Sequence, residues 1–209
     1  MKIKGFIFQR IICYLVLLLS GCALPDKPTQ PGYYDLGPAA AGTTVLAARP
    51  GLALPAMVLP EIETSAALER PGILYRLFYA DAHALRAYTQ AQWQAAPAQL
   101  VRQRLKSQLA QNRVVLAGSE PAALQAPVLQ VELEAFSQQF DSPASSHGLV
   151  QLRATLSWVG VQGEKRVAQK SFSALRPAPS ADAAGGVRAL AVATDAVVAD
   201  VDQWVQGVK

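Results

Sequence analysis

Two segments in the second half of the chain alternate hydrophobic and polar residues at every step. Leu129, Val131, Leu133 and Ala135 are separated by Gln130, Glu132 and Glu134. Val150, Leu152, Ala154, Leu156 and Trp158 are separated by Gln151, Arg153, Thr155 and Ser157. A period of two predicts strands with one buried face and one wet face. Asp141–Gly148 between them, rich in Ser, Pro, Asp and Gly, reads as a polar loop. A turn at Gly160–Glu164 and a third strand over about 165–175 complete an antiparallel meander. Glu132 or Glu134 is expected to face Arg153 across it.

Elsewhere the period changes to three and four. Val101, Leu105 and Leu109, widened by Leu100, form one stripe of a helix that Pro97 opens and that runs to about Ala110. Arg102, Arg104 and Lys106 take its other faces, and Asn112 is its expected stop. From Val187 through Val205 a second, longer stripe predicts a helix across the sheet. Gly185-Gly186 is its expected loose beginning, and Asp195, Asp200 and Asp202 fall mostly on its outer side. Before the first helix, shorter strands are predicted at Tyr33–Leu36, Leu52–Ile62, Ile73–Tyr79 and Leu85–Thr89. Ala39–Pro50 is a loop, Leu68–Gly72 is a turn, and Asp81-Ala82-His83 separates the last two strands. Val114–Leu116 is a short strand after the helix. The sum is a single α+β domain, a mainly antiparallel sheet packed against two helices.

The start of the chain follows another logic. Lys2, Lys4 and Arg10 precede an apolar run from Ile11 through Leu19, and Leu19-Ser20-Gly21-Cys22 follows. A charged start, a short apolar middle and a small-residue ending lay out a secretory signal peptide. The run is shorter than the ~20 residues that a membrane-spanning helix needs. Leu19–Cys22 resembles the lipobox of bacterial lipoproteins. That resemblance implies cleavage before Cys22 and a diacylglyceryl group on its sulfur. Residues 1–21 are then the lipoprotein signal peptide, 22–32 the lipidated Cys and a flexible tether, and 33–209 the folded domain. Ala23, where an Asp would favour inner-membrane retention, points to the periplasmic face of the outer membrane.

Charge and cysteine count sharpen this picture. The formal charge of +4 includes three cations in residues 1–21, which hold no Asp or Glu, so removing them leaves +1. A net charge that small carries no nucleic-acid signal. The two cysteines are Cys13 and Cys22. One leaves with the signal peptide and the other carries lipid, so the domain relies on packing rather than disulfides.

Reacting groups are sparse. His83 and His147 are the two histidines. His147 lies near Asp141, Ser142, Ser145 and Ser146, the residue types of a hydrolytic triad, but turn formers in a polar loop explain the same cluster. No Gly-x-Ser-x-Gly supports a hydrolase. No spacing of His, Cys, Asp and Glu suits a metal, and no Gly-rich phosphate loop occurs. The expectation is no catalytic residue, no metal, no cofactor beyond the lipid on Cys22, and no enzyme activity. Four residues are candidates for partner binding. Trp93 is either core packing at the start of the helix or a contact for a partner or lipid. Tyr34, with Tyr33, is either an edge-strand core residue or part of an exposed docking strand. Arg70 and Arg76 are either solvated or contacts for an acidic partner or a phospholipid headgroup.

The order of these features resembles a family. A lipobox precedes Tyr34-Asp35-Leu36, then Leu59-Pro60, then Arg70-Pro71-Gly72-Ile73-Leu74-Tyr75-Arg76. Trp93 and its helix follow, then the alternating Leu129–Phe140 strand, its hairpin partner and a closing Ala/Val-rich helix. Together they resemble the ABC-type transport auxiliary lipoproteins. The resemblance implies service to an MCE-type lipid transport system, in which an outer-membrane lipoprotein binds the periplasm-spanning MCE-domain protein. The Ala-rich Ala47–Met57 is longer than that pattern, and Gln94-Ala95-Ala96 lacks an acidic residue common after the tryptophan. Other expectations compatible with the residues are a periplasmic phospholipid-binding lipoprotein, an outer-membrane assembly or structural lipoprotein, and, last, an envelope hydrolase.

Overall fold

The computed structural model describes residues 31–39, 54–159 and 163–208. Cys22, most of the tether and most of the Ala39–Pro50 loop lie outside these residues. One long strand organises the described part. β7 (Val128–Ser142) pairs along its whole length with antiparallel β8 (Ser145–Val159), and β8 pairs in turn with antiparallel β9 (Lys165–Pro177). On its other side β7 meets three short strands in succession, all parallel to it. These are β2 (Leu54–Val58) at Val128, β3 (Glu63–Thr64) at Glu132 and Leu133, and β4 (Gly72–Leu77) at Gln138–Phe140. β4 turns back into antiparallel β5 (Asp81–Trp93), whose far edge takes parallel β1 (Gly32–Tyr34). β6 (Arg113–Leu116) runs parallel to β2.

Helix α1 (Pro97–Leu109) and helix α2 (Ala183–Gly207) complete the fold. The predicted α1 stripe, Val101, Leu105 and Leu109, is fully buried. On α2, Leu190, Ala193, Val197 and Val201 meet the inward residues of the hairpin, including Leu129, Leu133, Val150, Leu152 and Ala154, in one continuous core. Asp182 caps α2 by accepting the Gly185 N–H at 2.7 Å. That bond and the Ser180 hydroxyl hold the Asp182 carboxyl below its ordinary range.

The α+β class, the two helices and the meander stand as expected, with Arg153 bridging both Glu132 and Glu134. The sheet is mixed: its longest ladders are antiparallel, and the short strands add parallel joints. Several details differ. Asp141–Gly148 is not a loop, because the β7–β8 ladder runs on to Ser142 and Ser145 and leaves Pro143-Ala144 as the turn. Buried Phe140, the Gln138–Ser146 hydrogen bond (2.8 Å) and the Asp141–His147 contact (2.8 Å) tie the two strands there. β5 outgrows Leu85–Thr89 because β4 and β1 support it on both edges. Gly185-Gly186 is no loose beginning but a tight one. A Cβ on Gly186 would stand 2.1 Å from Gln138 Oε1, and one on Gly185 would stand 2.0 Å from the Ser180 carbonyl oxygen. Asp202 turns inward rather than outward, to Arg113. Arg102 and Arg104, on the other faces of α1 as expected, are only partly exposed. Arg102 donates to the Pro60 and Leu59 carbonyls at 2.9 and 3.1 Å, and Arg104 to those of Leu36 and Gly37 at 2.8 Å each.

Candidate partner-binding surface

β9 is a sheet edge. It pairs with β8 from Lys165 to Pro177, and no strand meets its other side among the described residues. Backbone N–H and C=O groups on that side point away from the sheet, a template for another extended chain. Phe172 and Ala174 are buried on the helix side, while Val167 and Leu175 are exposed on the other. The strand carries Lys165, Arg166, Lys170 and Arg176 and no acidic residue. Such charges guard an edge against pairing with another copy of itself, because like charges would face each other. The same charges leave the edge open to an acidic segment.

Beside this edge a shallow groove of about 490 Å³ runs between β9 and the end of α2, lined by Lys170, Ser171, Phe172, Ser173, Asp200, Gln203 and Trp204. Phe172 and Trp204 meet edge to face, with centroids 5.7 Å apart. The Lys170 ammonium lies 5.2 Å from the Phe172 ring centroid, within cation–π reach. The sequence singled out none of these residues as a contact surface. The run of basic residues without an acid from Lys165 to Arg176 was the legible signal.

The four sequence candidates divide. Tyr34 and Trp93 are register partners across the β1–β5 joint. Trp93 is 1% exposed, stacks edge to face on Phe136 at 5.5 Å, and finds no partner for its indole N–H among the described residues. Its ring is core and offers no surface in this structure. Tyr34 is half-buried against that core, whereas Tyr33 is 64% exposed. Arg70 lies exposed in the turn before β4, at the same end of the sheet. Arg76 is at the other end, where it donates to the Ala82 and His83 carbonyls at 3.1 and 3.2 Å and closes the β4–β5 hairpin. The four therefore do not form one site.

His147 Nδ1 and Asp141 Oδ2 are 2.8 Å apart. Ser146 is buried, and its hydroxyl accepts from Gln138 Nε2. As neighbours on a strand, Ser146 and His147 project to opposite faces. The Gln138 oxygen accepts from the Tyr88 hydroxyl at 2.9 Å. Burial, aided by Tyr75 and Asp182, pushes Tyr88 up to about 12. This chain of polar groups joins the β4–β5 and β7–β8 hairpins under the start of α2.

Known proteins bear on this geometry. The solved structure of XCC0632 from Xanthomonas campestris is similar, with a TM-score of 0.62 and 17% identity over 76% of this chain and 88% of that one. A second solved structure, of an uncharacterized protein, has a TM-score of 0.62 and 16% identity over 84% of this chain and 99% of that one. Both share the fold. No curated protein matches the chain in sequence. The family model for the ABC-type transport auxiliary lipoprotein component matches residues 34–202, from β1 to the buried aspartate of α2. The chain belongs to the ABC-type transport auxiliary lipoprotein family.

Proposed function

We propose that the chain is a non-enzymatic accessory lipoprotein of an MCE-type lipid transport system. Lipid on Cys22 anchors it to the periplasmic face of the outer membrane, and the free edge of β9 docks the periplasm-spanning MCE-domain protein. The observation that carries this reading is the long β9 edge, which no other strand meets among the described residues and whose charged side chains are all basic, Arg166 being paired with Glu164. An extended acidic segment of the partner would continue the sheet by main-chain hydrogen bonds, with the Phe172–Trp204 groove taking one of its side chains. Anchoring raises the effective concentration of the domain at the membrane, so even a modest affinity for the edge suffices. A tether of this kind needs no reacting group, metal or cofactor.

The test is photo-crosslinking in intact envelopes from a probe at Gln169 on β9, with a probe at Val114 on β6 as the control. Adducts of the MCE-domain protein from Gln169 and none from Val114 are expected. Gln169 adducts that contain only barrel-assembly proteins, or only copies of this chain, would overturn the reading.

A further inference from the structure

We infer that the turn between β4 and β5 is a second membrane contact, with Phe78 and Tyr79 seated in the phospholipid surface that holds the lipid of Cys22. This rests on the reading of Cys22 as the lipid anchor. The turn, Phe78-Tyr79-Ala80, joins β4 to β5. Phe78 is 45% and Tyr79 48% exposed, and Leu85 nearby on β5 is exposed as well. Consecutive exposed aromatics at a chain reversal are unusual where polar turn formers would do. Phenyl and phenol rings suit the boundary between headgroups and acyl chains.

Much of the backbone at and after the turn is already hydrogen-bonded within the protein. The Phe78 N–H donates to the Phe140 carbonyl at 2.9 Å, and that of Ala80 to Leu77 at 3.0 Å. The Asp81 carboxylate takes the His83 N–H at 2.8 Å, and Arg76 covers the Ala82 and His83 carbonyls. Backbone groups satisfied in this way cost little to bring to an apolar boundary. Arg76 and Arg86 flank the turn on β4 and β5, where cations meet anionic headgroups.

Chain length supplies the occupant. β1 is parallel to β5 and in register from Gly32↔Ala91 to Tyr34↔Trp93. The chain therefore enters β1 from the side of the β4–β5 turn. Ala91 is ten residues along β5 from Asp81, about 33 Å at the rise of a strand. Gly32 likewise comes ten residues after Cys22, a stretch that reaches at most about 36 Å when fully extended. The tether at full stretch is only about 3 Å longer than this part of the hairpin. With β1 directed at the membrane, any tether short of full extension brings Phe78 and Tyr79 to its surface.

The experiment uses the full chain, matured in cells and reconstituted in vesicles of phosphatidylethanolamine and phosphatidylglycerol. A polarity-sensitive thiol dye is placed at Tyr79→Cys or, as the control, at Leu124→Cys, which is 88% exposed near the other end of the sheet. The Tyr79 probe should shift to the blue on vesicles and be quenched by spin labels high on the acyl chains, at a depth of about 5–10 Å. The Leu124 probe should do neither. A dye at Ala80→Cys should lose the shift when Phe78→Ser and Tyr79→Ser are added. A Tyr79 probe that keeps its aqueous emission overturns the proposal. So does a shift that needs no vesicles and grows with protein concentration, which marks contact between copies. Intact mass separates the two readings. An unlipidated Cys22 removes the anchor and this proposal together, whereas lipid on Cys22 with a wet Tyr79 probe removes this proposal alone.

Discussion

Arg113, at the start of β6, and Asp202, near the end of α2, form an ion pair of 3.1 Å with side chains only 4% and 5% exposed. Gln108 of α1 donates to the other carboxylate oxygen at 3.2 Å. One buried carboxylate thus ties both helices to the edge of the sheet. Burial pushes the Arg113 guanidinium down from its ordinary value, and Asp202 opposes that shift. Asp202→Ala leaves a buried cation without its counter-charge and should cost about 3–5 kcal/mol in urea unfolding. Asp202→Leu combined with Arg113→Met removes both charges and should recover most of that loss. A double variant as unstable as the single one would show that the pair contributes more than its own compensation.

Gly148 on β8 sits directly under α2. A Cβ there would lie 2.6 Å from the Leu190 backbone N and 2.7 Å from the Ala189 carbonyl carbon. Backbone cannot yield as a flexible side chain does. Gly148→Ala should push the helix off the sheet and cost about 1–3 kcal/mol. Gly118→Ala, where a Cβ meets nothing within 4 Å, is the control and should leave the thermal midpoint within about a degree of the parent, as for surface substitutions generally. Equal midpoints for the two variants would contradict the packing described.

Tyr88 sets a pH limit. Its hydroxyl titrates near 10 in the unfolded chain and is pushed up to about 12 in the fold. Between these values the folded state holds a proton that the unfolded state has lost. Stability from this group is complete below pH 10 and is lost as pH rises toward 12. Urea midpoints should therefore fall across that window, and Tyr88→Phe should flatten part of the fall. A slope identical in the variant would assign the loss to other groups.

Trp93 separates packing from partner contact. Trp93→Ala should cost about 3–5 kcal/mol, as large aromatic truncations in cores do. Trp93→Phe keeps a ring against Phe136, removes the unpartnered N–H and should cost much less. If the residue acts only through the core, crosslinking from Gln169 should be unchanged in Trp93→Phe. Loss of crosslinking with an unchanged thermal midpoint would return Trp93 to the list of contact residues.

The basic edge makes a charge prediction. Lys165→Glu with Lys170→Glu should weaken capture of an acidic partner and make the remainder less sensitive to salt, because screening acts on the attraction that has been removed. Capture that is unchanged at low salt would point away from β9.

Local periodicity carried much of this chain. The alternation at Leu129–Ala135 and Val150–Trp158 and the stripe Val101, Leu105, Leu109 announced their elements because burial repeats with the period of the backbone. The order of short motifs from Tyr34 to the closing helix was enough to suggest the family that the match over residues 34–202 shows. The proposal that Cys22 is the anchor rests on its sequence neighbours alone, and Cys22 lies outside the described residues.

Long-range pairing was not legible in that way. Asp202 looked like one more outward aspartate until β6 brought Arg113 beneath it. Gly186 looked like slack until Gln138 filled the space where its Cβ would stand. The parallel joints of β7 with β2, β3 and β4 depend on partners far apart along the chain, and a strand's period carries no record of its neighbour's direction. The same holds for the surface. Lys165, Lys170 and Arg176 could be read as basic residues of a strand, but that β9 has no second neighbour among the described residues is settled only by how the other eight strands are placed. Periodic burial is a property of single segments and is written in residue order. Register, sheet order and buried charge pairs belong to pairs of segments, and they exist only once packing has chosen which surfaces meet.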